Sequence, residues 1–146
     1  MNFVYSDSTK ILINMNLEKL EKIYSMIKDT SSISIIKEPN LATVMVRANE
    51  SVKNTTFNLG EILVTECSVK VDESLGYGIV SENNNKKAIY LAVIDAVLHS
   101  NNSKFDELKN YINKSVYEEN LRYEQEIIDE FSLINKTKVQ FNAWIK

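Results

Sequence analysis

Leu17, Leu20, Ile23, Tyr24 and Ile27 recur at helical spacing behind Asn16, a residue suited to capping, while Glu18, Lys19, Glu21, Lys22 and Lys28 take the other side. This predicts a helix ending near Asp29, with a shorter one over residues 8 to 15 before it. From Ser32 to Ser81 the period changes. Short runs rich in Val, Ile, Thr and Ser predict strands near 33 to 37, 41 to 48, 55 to 59, 62 to 71 and 75 to 81. Turns are expected at Glu38-Pro39-Asn40, Ala48-Asn49-Glu50-Ser51, Asn58-Leu59-Gly60-Glu61 and Asp72-Glu73-Ser74. In the longest run Leu63, Thr65, Cys67, Val69 and Val71 share one face and Glu66, Ser68 and Lys70 the other. The stretch from Ala88 to Leu98 is apolar around nearly its whole circumference, the mark of an enclosed helix. Helical spacing resumes over 103 to 135 with a break expected near Asn113. The tail alternates again through Val139, Phe141, Ala143 and Ile145, predicting a final strand.

Connections of a few residues cannot hold crossover helices, so neighbouring strands should be antiparallel. The expectation is one α+β domain over 1–146: an antiparallel sheet of four to five strands with helices packed on it, N-terminal helices and a C-terminal strand. A chain of 146 residues, 44% hydrophobic and 25% charged, suits a single core. The apolar supply is large for a lone monomer, and it either fills a single-domain core or serves a second surface. The enclosed helix, the strand at 41 to 48 with apolar residues on both faces and the apolar-faced tail point to a subunit interface. Net charge is −3, and only Arg47 and Arg122 are arginines, which disfavours nucleic acid as a partner. No signal peptide and no membrane span are read, so a cytoplasmic protein is expected.

The residues offer little independent chemistry. One histidine and one cysteine do not make a metal site, and neither a metal nor a cofactor is expected. His99 follows Asp95 by one helical turn, so the two could pair as a base and its orienting carboxylate. An imidazole is also comfortable at a helix C-terminus without reacting. Cys67 lies on the apolar side of its strand and reads as a small buried hydrophobe. Gly76-Tyr77-Gly78 lacks the third glycine and following helix of a phosphate loop. Two glycines at i and i+2 strip one strand face of side chains and permit close approach of a packed helix. Lys86 and Lys87 open the apolar helix where the dipole disfavours cations, which leaves room for an anion or for a solvated pair.

The run Phe57 to Val71, with Asn58-Leu59-Gly60-Glu61 and then Val64-Thr65-Glu66-Cys67-Ser68-Val69, followed by Gly76-Tyr77-Gly78 and by Ala88 through Asp95-Ala96, resembles the PhnG family of the bacterial carbon–phosphorus lyase machinery. Val44-Met45-Val46-Arg47 and the tail Thr137 to Trp144 extend the resemblance over most of 41 to 144. It implies a cytoplasmic subunit working with PhnH, PhnI and PhnL to displace adenine from ATP and form ribose 1-methylphosphonate 5-triphosphate. PhnJ then breaks the carbon–phosphorus bond. It further implies a homodimeric scaffold packed against PhnI and PhnJ, part of a transferase complex and not active alone. Arg47, Asn58, Gly60, Glu61, Cys67, Gly76, Gly78 and Asp95 carry the match as structural positions, with no catalytic residue among them.

The chain departs from the family pattern in four places. Ala48-Asn49-Glu50-Ser51 stands where a glycine pair is usual, Ser81-Glu82-Asn83 replaces Gly-Arg-Asp, Lys87-Ala88-Ile89 replaces His-Ala-Glu, and Glu66 replaces an arginine. These changes remove positive charge and a histidine from where an anionic substrate would be met. A second function class is therefore a repurposed homodimeric interaction module without phosphonate activity. A third is a free-standing enzyme built on Asp95 and His99.

Overall fold

A computed structural model describes residues 5–136. Helix α1 (Tyr5–Asn14) leads into α2 (Leu17–Thr30), where the Asn16 side chain accepts from the Glu18 N–H at 3.0 Å and satisfies one orphan donor of the first turn. Leu20, Ile23 and Ile27 form the buried stripe of α2. Three strands follow, β1 (Ile33–Asn49), β2 (Thr56–Val71) and β3 (Ser74–Val80), paired antiparallel in the order β1-β2-β3. Helix α3 (Asn85–His99) then crosses the sheet, and a 3-10 turn (Ser103–Phe105) leads into the long α4 (Asp106–Lys136).

The α+β class, the antiparallel pairing and the paired N-terminal helices are as expected from the sequence. The strand count differs: among the described residues three strands stand where four to five were expected. The runs at 33 to 37 and 41 to 48 are one strand, because Pro39 sits at a bulge where β1 slips against β2 between Lys37 and Asn40. β1 is an edge strand, and a bulge on an edge tolerates a residue that cannot donate to the ladder. The runs at 55 to 59 and 62 to 71 are likewise one strand. Asn58-Leu59-Gly60-Glu61 is no hairpin turn, since Gly60 pairs with Val46, Asn58 pairs with Arg47, and Leu59 is the extra residue between them. The hairpin turns at 50 to 55, where Glu50 N–H donates to the Thr55 carbonyl at 2.9 Å and Asn54 takes a φ of 55°. No break interrupts α4 at Asn113. The expected C-terminal strand lies outside the described residues, and the last described element is helix α4.

The core sits between one face of the sheet and the helices. Cys67, Val69 and Val71 from β2 and Val80 from β3 meet Ala92, Val93, Ile94, Ala96 and Val97 of α3, with Leu20, Ile23 and Ile27 of α2, and Phe105, Ile112 and Val116 completing the cluster. Each fully buried aliphatic side chain contributes about 1.5–3 kcal/mol. Asp72 ties the edge of this core together: Oδ1 accepts from Ser32 N–H at 3.0 Å and Oδ2 binds Lys104 Nζ at 2.6 Å, which holds its carboxyl below the usual range. Among the described residues no helix is long and apolar enough to cross a membrane.

Candidate functional site

The positions singled out in the sequence fall into two groups, separated along β2 by the about 23 Å from Gly60 to Cys67 at a strand rise of about 3.3 Å per residue. The first is a seam between β3 and α3. Gly76, Gly78 and Val80 face the helix, and Cys67 is the cross-strand partner of Gly78. On α3, Ala88, Ala92 and Ala96 recur every four residues and are fully buried. A β-carbon at Gly78 would overlap the Ala88 carbonyl oxygen and lie 2.9 Å from Ala92 N. At Gly76 it would overlap the Ala92 carbonyl and lie 2.7 Å from Ala96 Cβ. The two glycines therefore serve helix packing: helix backbone occupies the space a side chain would need.

Asp95 closes the same seam from the side. The Tyr77 N–H of edge strand β3 donates to Asp95 Oδ2 at 2.9 Å, so a helix carboxylate satisfies a strand-edge donor. Its other oxygen lies 3.1 Å from His99 Nδ1, which is also 3.0 Å from the Asp95 carbonyl oxygen. Both neighbours accept, so Nδ1 carries the hydrogen. The pairing of Asp95 with His99 is thus present, with the aspartate also engaged in holding the strand. Cys67 is buried, and burial pushes its thiol up to about 11, away from thiolate chemistry. Lys87 is neither a solvated lysine nor an open cation: it is buried, with Nζ 3.2 Å from Glu82 Oε1. Its backbone N–H is capped by Asn84 Oδ1 at 3.1 Å. Lys86 is exposed.

The second group lies on a projecting ribbon. β3 ends opposite Thr65, whose buried hydroxyl donates to the Glu82 carbonyl at 2.6 Å. Beyond Thr65 only β1 and β2 remain paired, over about 30 Å. Arg47 and Asn58 are cross-strand partners there, one step from Gly60 and two from Glu61. Leu63 shares the face of Cys67 yet is 54% exposed because no helix reaches it. On the opposite face Ala42, Val44, Val46 and Ala48 stand across from Val64, Ile62, Gly60 and Phe57, a strip without a charge. Val44, Phe57 and Ile62 are each nearly half exposed. A two-stranded ribbon is marginal alone in water. This one keeps a continuous apolar strip at its surface.

Sequence reasoning gave no signal for two further features. Glu119 of α4 is buried and paired with Lys19 of α2 at 2.5 Å and with Arg122. Glu66 on the wet face of β2 is neutralised by Lys37 of β1, whose hydrogen bond and charge hold its carboxyl low. Both contacts join segments far apart in the chain, which no local pattern announces.

The seam offers packing and edge capping, the ribbon offers apolar contact area, and among the described residues neither brings together a nucleophile, base and acceptor. A family model described as phosphonate metabolism protein PhnG matches residues 6–146, almost the whole chain. No curated protein matches it.

Proposed function

The chain belongs to the PhnG family of phosphonate metabolism proteins, and from that premise we propose that it is a scaffold subunit of the carbon–phosphorus lyase system, acting in the cytoplasm. It works with PhnH, PhnI and PhnL in forming ribose 1-methylphosphonate 5-triphosphate from ATP and a phosphonate, and it packs as a homodimer against PhnI and PhnJ. Arg47, Asn58, Gly60 and Glu61 shape the ribbon for that packing, while Cys67, Gly76, Gly78 and Asp95 hold the domain that presents it.

The observation that carries this reading is the uncovered ribbon. Val44, Met45, Phe57, Leu59, Ile62 and Leu63 stay about half exposed or more, beyond what a free-standing subunit keeps in water. The family departures fit a scaffold as well. Glu66 and Glu82, which replace arginines of the pattern, are each held by a lysine of this chain and not left to repel an anion. The test is co-expression with PhnI, PhnH and PhnJ from the same genome followed by size exclusion. Co-elution is expected. Elution of this chain alone while the others assemble would end the reading.

A further inference from the structure

Helix α4 leaves the body of the protein half way along its length. Ile112, Val116 and Glu119 are its last buried residues, and every residue from Leu121 to Asn135 is exposed. A projection of this length is marginal as a helix by itself.

Its surface is patterned. Leu121, Ile127, Ile128, Phe131 and Ile134 fall within one broad face at 3.6 residues per turn, and each is 47% to 63% exposed. Around and within that face stand Glu124, Glu126, Asp129 and Glu130, against the single cation Arg122. That arginine is already engaged by the buried Glu119, and its Nε lies 3.6 Å from Glu126. Glu124 and Asp129 accept only from the neutral amides of Asn120 and Gln125. The face therefore presents apolar side chains together with three carboxylates, those of Glu124, Asp129 and Glu130, that no lysine or arginine of the described residues neutralises.

We propose that the projecting half of α4 is a docking helix whose occupant is an apolar groove rimmed by lysine and arginine on a different protein subunit. Helix-in-groove recognition uses this i, i+3, i+4, i+7 arrangement of anchors, and the carboxylates select a basic rim and speed encounter with it. A second copy of this chain fits less well, because two such helices repel and the chain as a whole carries −3. The inference rests on the assembly reading above and names the chemistry of the contact.

The experiment titrates the labelled full chain into the PhnI, PhnH and PhnJ subunits of the same genome at about 50 and about 300 mM salt. Two double variants are compared, Glu124→Lys with Glu130→Lys, and Ile128→Ser with Phe131→Ser. All four positions are exposed, and the far-UV spectrum of each isolated variant checks that the fold is kept. The charge variant is expected to lose about tenfold in affinity at low salt and most of the salt dependence. The apolar variant is expected to lose about a hundredfold. Wild-type assembly with both variants binding within about twofold would overturn the docking helix and leave the scaffold reading standing. So would an apolar variant that dissolves a self-associated form of the isolated chain without changing subunit affinity. Failure of the wild type to assemble would remove both.

Discussion

Replacing Gly76 with alanine tests whether the contact of α3 with β3 sets the stability of the fold. The new β-carbon would overlap the Ala92 carbonyl oxygen and lie 2.5 Å from Ala96 N and 2.7 Å from Ala96 Cβ. Favourable carbon contacts are about 3.5–4.0 Å, so α3 would have to withdraw by about 1 Å. None of these atoms can rotate away, since they are helix backbone or the carbon attached to it. A gap of that width forfeits about a quarter to a half of each dispersion contact along the seam. Overpacking alone costs about 1–3 kcal/mol, and the loosened seam brings the total to about 3–4 kcal/mol. For a chain of this size that lowers Tm by about 10 °C. Urea unfolding followed by far-UV circular dichroism should show a lower midpoint at unchanged m. Adding Ala96→Gly removes only one of the three obstructions and should recover little. A Gly76→Ala protein within about 0.5 kcal/mol of wild type would refute the close-packing argument.

Cys67 should react with a disulfide reagent at pH 8 about a hundredfold more slowly in the native protein than in denaturant, because burial holds its thiol protonated to about 11. The unfolded thiol ionises near 9, so stability should fall as pH rises from about 9 to about 11, and Cys67→Ser should flatten that decline. At the buried carboxylate, Glu119→Ala leaves Lys19 and Arg122 to hydrate, their side chains being 49% and 56% exposed. This should cost about 1 kcal/mol, whereas Lys19→Ala with Arg122→Ala strands the carboxylate and should cost about 3 kcal/mol, and the reverse order in urea unfolding would contradict the assignment. Amide hydrogen exchange of the isolated chain should find 121–135 and the ribbon over 40–64 far less protected than α3, and equal protection would show that both projections are covered.

What was legible in the sequence was periodic and local. The enclosed character of α3 follows from apolar residues at every phase of the helical turn, and the Gly-x-Gly strand with its need for close approach follows from missing side chains on one face. Pro39 and Gly60 misled for a physical reason: both are turn-forming residues, yet a bulge, on edge strand β1 for Pro39 and on the ribbon beside Gly60, accommodates them without ending the strand. Asn113 misled similarly. It lies on the solvent side of α4, where its modest helix penalty is outweighed by burial of Ile112 and Val116. The candidate positions were legible singly but not as two groups. Nothing local says that Asp95 reaches the Tyr77 N–H, or that the face holding Leu63 loses its cover two residues beyond Thr65, the partner of Val80.

The two projections and the seam belong to one argument about division of labour. The seam has the features of a rigid mount: fully buried alanines, glycines with no room for a side chain, and an edge donor met by a carboxylate. The ribbon and the distal half of α4 have the opposite features, long elements whose backbone is satisfied internally while their apolar faces stay in water. They differ in charge in a way that separates their partners. The ribbon strip of Ala42, Val44, Val46, Ala48, Phe57 and Ile62 is uncharged and can face any apolar surface, including its own copy. The α4 face carries four carboxylates and selects a basic one. Under the scaffold proposal, a chain with these two surfaces would contribute by fixing the distance and orientation of what it holds.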